Sequence, residues 1–136
     1  MLKTKHRIIV DTNLWISFLL TKNANRLDKL VATDKLVLLF SQELLDEFIE
    51  VARRPKFKKY FSLSDIDDLL TGLRSQAEFI EVTSVVAVCR DPKDNFLLAL
   101  SIDGNATHLI TGDKDLLDIG TFANTIILTL TEYLTV

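Results

Sequence analysis

Short apolar runs alternate with amphipathic stretches along this chain. Ile8–Val10, Leu36–Phe40, Val85–Val88, His108–Thr111 and Ile126–Leu128 read as strands. The nearly unbroken apolarity of Leu36–Phe40 is that of a strand covered on both faces. Between the strands the period lengthens to that of a helix. Leu14–Leu20 opens a first helix, and Arg26–Thr33 continues helically with Leu27, Leu30 and Val31 on one face. Ser41 is placed to cap a helix with the stripe Leu44, Leu45, Phe48, Ile49 and Ala52, which Pro55 ends. Ser64 is the expected cap of the next helix, with Asp65, Asp67 and Asp68 near its positive end and Leu69, Leu70 and Leu73 inside. Phe79–Val82 reads as a short strand or an extended connector. Asp91-Pro92-Lys93-Asp94 has the form of a helix start, Asp91 capping and Pro92 at the first helical position. That helix is expected to run to Gly104, and Lys114–Leu117 to form a short one. Such alternation predicts an α/β fold: a three-layer α/β/α sandwich around a central, mostly parallel sheet of four or five strands.

Size and composition narrow the picture. A chain of 136 residues, 48% hydrophobic, suits one domain over residues 1–136 with a single core. Its formal net charge of −3 gives no global basic field, so a nucleic-acid partner would rest on a local patch or on metal ions. A single cysteine, Cys89, forms no internal disulfide and reads as a small buried hydrophobe. With only two histidines, a tetrahedral zinc site is not expected. The basic N-terminus is followed by an apolar run that Asp11 and Asn13 interrupt, unlike a signal peptide. No apolar stretch approaches the ~20 residues of a membrane span. A cytoplasmic protein without membrane contact is the expectation.

Chemistry enters with the aspartates. Asp11 follows the first strand, Asp91 and Asp94 follow Val85–Val88, and Asp113 and Asp115 follow His108–Thr111. In parallel sheets, ligands gather at the carboxyl ends of the strands. Each aspartate taken alone is explained by helix capping or a turn. Together they recur at nearly every strand exit, which capping does not require. Crowded carboxylates raise one another's pKa unless a cation neutralises them. Oxygen ligands without His or Cys suit Mg2+ or Mn2+. Such an ion activates water and stabilises phosphodiester charge, two ions ~4 Å apart clamping both reacting oxygens.

These residues resemble the PIN-domain ribonucleases. Asp11-Thr12-Asn13 is similar to the opening of that family, and Asp94-Asn95-Phe96-Leu97-Leu98-Ala99-Leu100 to its third acidic motif. Thr111-Gly112-Asp113-Lys114-Asp115-Leu116 is similar to the fourth, and Glu43-Leu44-Leu45-Asp46-Glu47-Phe48 to the helix carrying the second acid. The likeness spans essentially the whole chain, in order. It implies a metal-dependent ribonuclease with Asp11, Glu47, Asp94 and Asp113 as catalytic acids. Asp11, Asp94 and Asp113 are then the ligands of Mg2+ or Mn2+. Asp91 and Asp115 are nearby acids that support a second ion or cap helices. Helical projection leaves Glu47 and Asp46 on opposite edges of the apolar stripe, and only the resemblance selects Glu47. The likeness is greatest to the VapC-type toxins of toxin–antitoxin pairs, which implies an RNA substrate, a small antitoxin and a homodimer.

Several residues have supporting roles in this reading. Asn13 and Thr111 can orient a carboxylate or bound water, or make local turn and cap bonds. Arg53, Arg54, Lys56, Lys58 and Lys59 are the candidate contacts for a negatively charged strand. Phe57, Tyr60 and Phe61 are expected to close the core instead of stacking on bases, and Trp15 to serve core or dimer. Two other classes compete. A catalytically silent RNA- or partner-binding module would keep the acids as caps. A receiver-like phospho-accepting domain would want adjacent acids after the first strand, where Thr12-Asn13 stands. A dehalogenase-like phosphatase would want a second aspartate at position 13.

Overall fold

The computed structural model describes residues 6–21, 36–87 and 94–135. Strands β1 (His6–Val10), β2 (Leu36–Phe40), β3 (Ala77–Phe79), β4 (His108–Ile110), β5 (Thr121–Phe122) and β6 (Thr125–Leu128) form one sheet. Their order is β3-β2-β1-β4-β6-β5, parallel throughout except for the antiparallel β5–β6 pair. Helices α1 (Thr12–Thr21), α2 (Gln42–Ala52), α3 (Leu63–Leu73), α4 (Asn95–Asp103), α5 (Lys114–Ile119) and α6 (Leu130–Leu134) connect and cover it. The α/β architecture is the predicted one, with six strands where four or five were expected. The extra strand is β5, a two-residue arm whose turn puts Ala123 at φ 53°, a backbone twist suited to tight hairpins and not signalled by a glycine.

The apolar runs do what their patterns require. Ile8, Ile9, Leu38, Leu39, Leu109 and Ile110 are almost wholly buried, because helices cover both faces of the sheet. Trp15 on α1 stacks on Phe40 and lies against Phe48 of α2, so α1 and α2 cover the Leu38–Phe40 face. Trp15 is thus a core residue. On the other face α4 ends at Gly104, where a Cβ would lie 2.9 Å from Leu39 Cδ1. Glycine permits that close approach.

Two expectations need correcting. Residues 81–87 form no ladder: the Val-rich run is extended connector, and Val85 is 94% exposed. The strand beside β2 is instead Ala77–Phe79, which ends the sheet on that side. The connector is fastened instead by Asp103 of α4, whose carboxylate accepts from the backbone N–H groups of Thr83 and Ser84 and from the Ser84 hydroxyl. These bonds hold the Asp103 carboxyl below the usual carboxylate range. The cap of α3 is Ser62, not Ser64: Ser62 and Asp65 close a reciprocal capping box. The expected helix at 26–33, Cys89 and the Asp91-Pro92 cap lie outside the described residues.

Candidate active site

The sheet order reverses between β1 and β4. From β1 the chain steps outward to β2 and β3, and from β4 it steps the other way to β6. Loops leaving two adjacent strands in opposite directions open a crevice at their carboxyl ends, the usual ligand position in such sheets. Asp11 and Asp113 stand on either side of this point.

Asp11 is 6% exposed and begins α1. Its Oδ1 accepts from the Asn13 backbone N–H at 2.7 Å, which makes it that helix's cap. Its Oδ2 accepts from the Thr111 hydroxyl at 2.5 Å. Thr111, itself buried, accepts in turn from the Asp113 backbone N–H at 3.0 Å. Asp113 caps α5 through Asp115 N–H, 2.9 Å from its Oδ1. One hydroxyl therefore ties the exit of β1 to the exit of β4. Burial, above all, pushes the Asp11 carboxyl above its ordinary range. The Thr111 and Asn13 bonds pull it back, and the nearby charge of Asp113 pushes it up again.

Glu47 reaches the same region from α2. Its Oε2 accepts from the Thr12 hydroxyl at 2.8 Å, one residue beyond Asp11. Of the other acids on α2, Glu43, Asp46 and Glu50 are exposed, and Gln42 holds Asp46 outward with a bond of 2.8 Å. Glu47 is thus the α2 acid that turns inward, the choice the helical projection alone left open.

Asp94 stands at the start of α4, half-buried, with helical backbone angles and no side-chain bond to the helix end. The other end of α4 is fixed at the amino edge of the sheet, where Gly104 O accepts from Arg7 Nε at 2.7 Å. A helix of nine residues spans ~14 Å, close to the length of a five-residue strand. Asp94 therefore lies toward the carboxyl end. Asp115 is half-buried in the first turn of α5, and Asp91 lies outside the described residues. Among the described residues, no group of three or more His, Cys, Asp or Glu is arranged to hold a metal ion by itself. What is brought together is the Asp11–Asp113 pair, with Glu47 anchored beside it.

Of the supporting residues, Thr111 acts through its hydroxyl as expected. Asn13 acts through its backbone N–H, its side chain being exposed. Sequence reasoning missed Thr12, although its place between Asp11 and Asn13 was the available signal. Arg53, Arg54, Lys56, Lys58 and Lys59 are all exposed. Lys56 lies 5.1 Å from the Phe57 ring centre and Lys59 5.2 Å from that of Tyr60. Phe61 is buried and stacks on Phe57, as a core role demands, whereas Tyr60 is exposed.

A mostly parallel sheet with carboxylates at its switch point defines an α/β domain of the kind that holds ligands at its strand ends. The chain belongs to the PIN domain family, whose members are generally nucleases: the family model matches residues 7–115. An uncharacterised protein of Methanocaldococcus jannaschii is 32% identical over 122 residues, covering 88% of this chain and 78% of that protein. The fold is similar to the crystal structure of VapBC2 from Rickettsia felis bound to a DNA fragment from their promoter. That match has a TM-score of 0.58 at 17% identity, over 89% of this chain and 96% of the other. No described helix is long and apolar enough to cross a membrane.

Proposed function

We propose that this chain is a Mg2+- or Mn2+-dependent endoribonuclease and the toxin of a toxin–antitoxin pair. The observation that carries the reading is the Asp11–Thr111–Asp113 linkage at the sheet's switch point. Asp11's carboxylate is buried beside a second acid, and no cationic side chain among the described residues offsets its charge. That donor set fits a hard divalent ion, since Mg2+ keeps several waters and needs only one or two carboxylates. The ion supplies Lewis acidity toward a phosphodiester and makes water a better nucleophile. Asp11, Asp94 and Asp113 would hold it. Glu47 would bind the ion through one of its waters and help to activate that water. Asp115, and Asp91 if it approaches, would support these ligands. The exposed cations from Arg53 to Lys59 would engage phosphates, a sequence-independent grip. The resemblance to VapC-type toxins and the likeness to VapBC2 support a small antitoxin partner, a homodimer and a cytoplasmic setting.

A second reading is a PIN-like module that binds RNA or a partner without cleaving it. It is favoured by the capping bonds that occupy one oxygen each of Asp11 and Asp113. One experiment separates the two: incubate single-stranded RNA with the protein in Mg2+, and in EDTA. The nuclease reading expects cleavage only with Mg2+. Equal activity in both would remove it, and no Mg2+ or Mn2+ binding at millimolar ion by calorimetry would favour the silent module.

A further inference from the structure

We infer that Thr12 is a positioning residue that fixes the Glu47 carboxylate beside Asp11; this rests on the nuclease reading above. Thr12 is buried, and a buried hydroxyl must find a partner. Threonines inside helices commonly bond to a carbonyl of the preceding turn. Thr12 is the first residue of α1, so no helical turn precedes it. Its donor is directed sideways into α2 and meets Glu47 Oε2 at 2.8 Å.

The contrast along α2 gives this bond its meaning. Four acids lie on this helix, and the three not held by Thr12 are exposed. A glutamate has three rotatable bonds, and holding one conformer costs side-chain entropy. A neutral donor from the neighbouring helix offsets that cost without neutralising the carboxylate. Lysine or arginine at position 12 would satisfy Glu47 but spend its charge on a permanent ion pair. Because the donor adjoins Asp11 in sequence, any shift of α1 moves both acids together. Thr12 thus does for Glu47 what Thr111 does for Asp11.

The test is Mn2+ binding to the full chain by calorimetry, for wild type, Thr12→Val, Thr12→Ser, Glu47→Gln and Thr12→Val/Glu47→Gln. Valine keeps the shape and removes the donor; serine keeps the donor. Thr12→Val is expected to weaken Mn2+ affinity by about tenfold, the low end for losing a bond that orients a ligand. Thr12→Ser should stay within about twofold of wild type. The double variant should be no weaker than Glu47→Gln alone, since the two residues act as one unit. Thr12→Val binding like wild type, while Glu47→Gln is weakened, overturns the inference and leaves the nuclease reading intact. So does failure of serine to restore binding, which would make Thr12 a packing residue. Wild type that binds no Mn2+ at all overturns the nuclease reading itself, and this one with it.

Discussion

At the carboxyl end of the sheet, Asp11 and Asp113 are linked across β1 and β4 through the Thr111 hydroxyl, and Asp11 also accepts from the Asn13 N–H. At the start of the same two strands, His6 and His108 pack ring against ring, 4.7 Å between centres, and Tyr133 of α6 lies against both. His6 Nδ1 and the Tyr133 hydroxyl are 2.6 Å apart, and His108 Nδ1 is 2.7 Å from Thr107 Oγ1. Arg7 ion-pairs with Glu78 there at 2.5 Å. The amino end offsets its polar groups against one another. The carboxyl end instead sets the charge of Asp113 near the buried Asp11 carboxyl. The two ends differ in kind: the carboxyl end gathers acids around the buried Asp11, while at the amino end a histidine–tyrosine cluster fastens the last helix. Functional sites are commonly the places where a fold is locally discontented.

The largest expected effect breaks the comparison most directly. Asp11→Asn and Asp113→Asn should each lower Mg2+-dependent RNA cleavage more than about 100-fold, beyond the usual loss for a residue that only orients a ligand. His108→Gln and Tyr133→Phe should leave the same rate within about twofold. A comparable loss from the amino-end variants would mean the two ends are not functionally distinct. Next comes ligand linkage. Mn2+ at one hundred times its Kd should add about 2.7 kcal/mol to unfolding free energy. Thermal melts should lose that gain in Asp11→Asn and keep it in Tyr133→Phe. Smaller still, Tyr133→Phe should lower stability by at most about 1 kcal/mol through one lost hydrogen bond, read from urea midpoints without added metal.

The comparison also separates what was legible in the sequence from what was not. Leu36–Phe40 matched β2 to the residue, since a fully apolar five-residue run has few other uses. Ser41 and Gly104 were readable as helix ends because capping is local chemistry. Val85–Val88 misled, because an apolar run becomes a strand only where another strand pairs with it, and its described part, 85–87, pairs with none. The strand beside β2 is Ala77–Phe79, whose Glu78 breaks the apolar pattern. Asp11, Thr111 and Asp113 were legible as a group, since Asp11 and Thr111 directly follow strands and Asp113 lies two residues further on. That Glu47 turns inward was not, because its direction depends on Thr12, thirty-five residues away. The His6–His108–Tyr133 cluster was invisible for the same reason: nothing within a short window announces a contact across 127 residues.

The smallest expected effects carry opposite signs at the two ends, which makes pH the sharpest discriminator. Burial first, then the charge of His6, holds the His108 imidazole below its ordinary 6.5. As pH falls past that value the unfolded chain takes up a proton that the folded protein resists. The stability His108 lends is therefore full above 6.5 and lost as pH falls through its depressed value. Asp11 runs the other way, its carboxyl being raised above the ordinary 3.8 chiefly by burial. Above 3.8 the unfolded chain releases a proton that the buried carboxyl still holds. The stability Asp11 lends is full below 3.8 and lost as pH rises through its raised value. Other carboxylates titrate in the same range, Asp103 and Glu132 with lowered values, so the useful quantity is a difference between proteins. In metal-free urea titrations, wild type minus Asp11→Asn should decline as pH rises from acid toward neutral. Wild type minus His108→Gln should climb between about pH 5 and 7. Mn2+ should erase the first trend, because a cation beside Asp11 removes the reason to keep its proton, and leave the second untouched. If both differences follow the same slope, the two ends share one electrostatic character and the acidic end loses its claim to be a cation site.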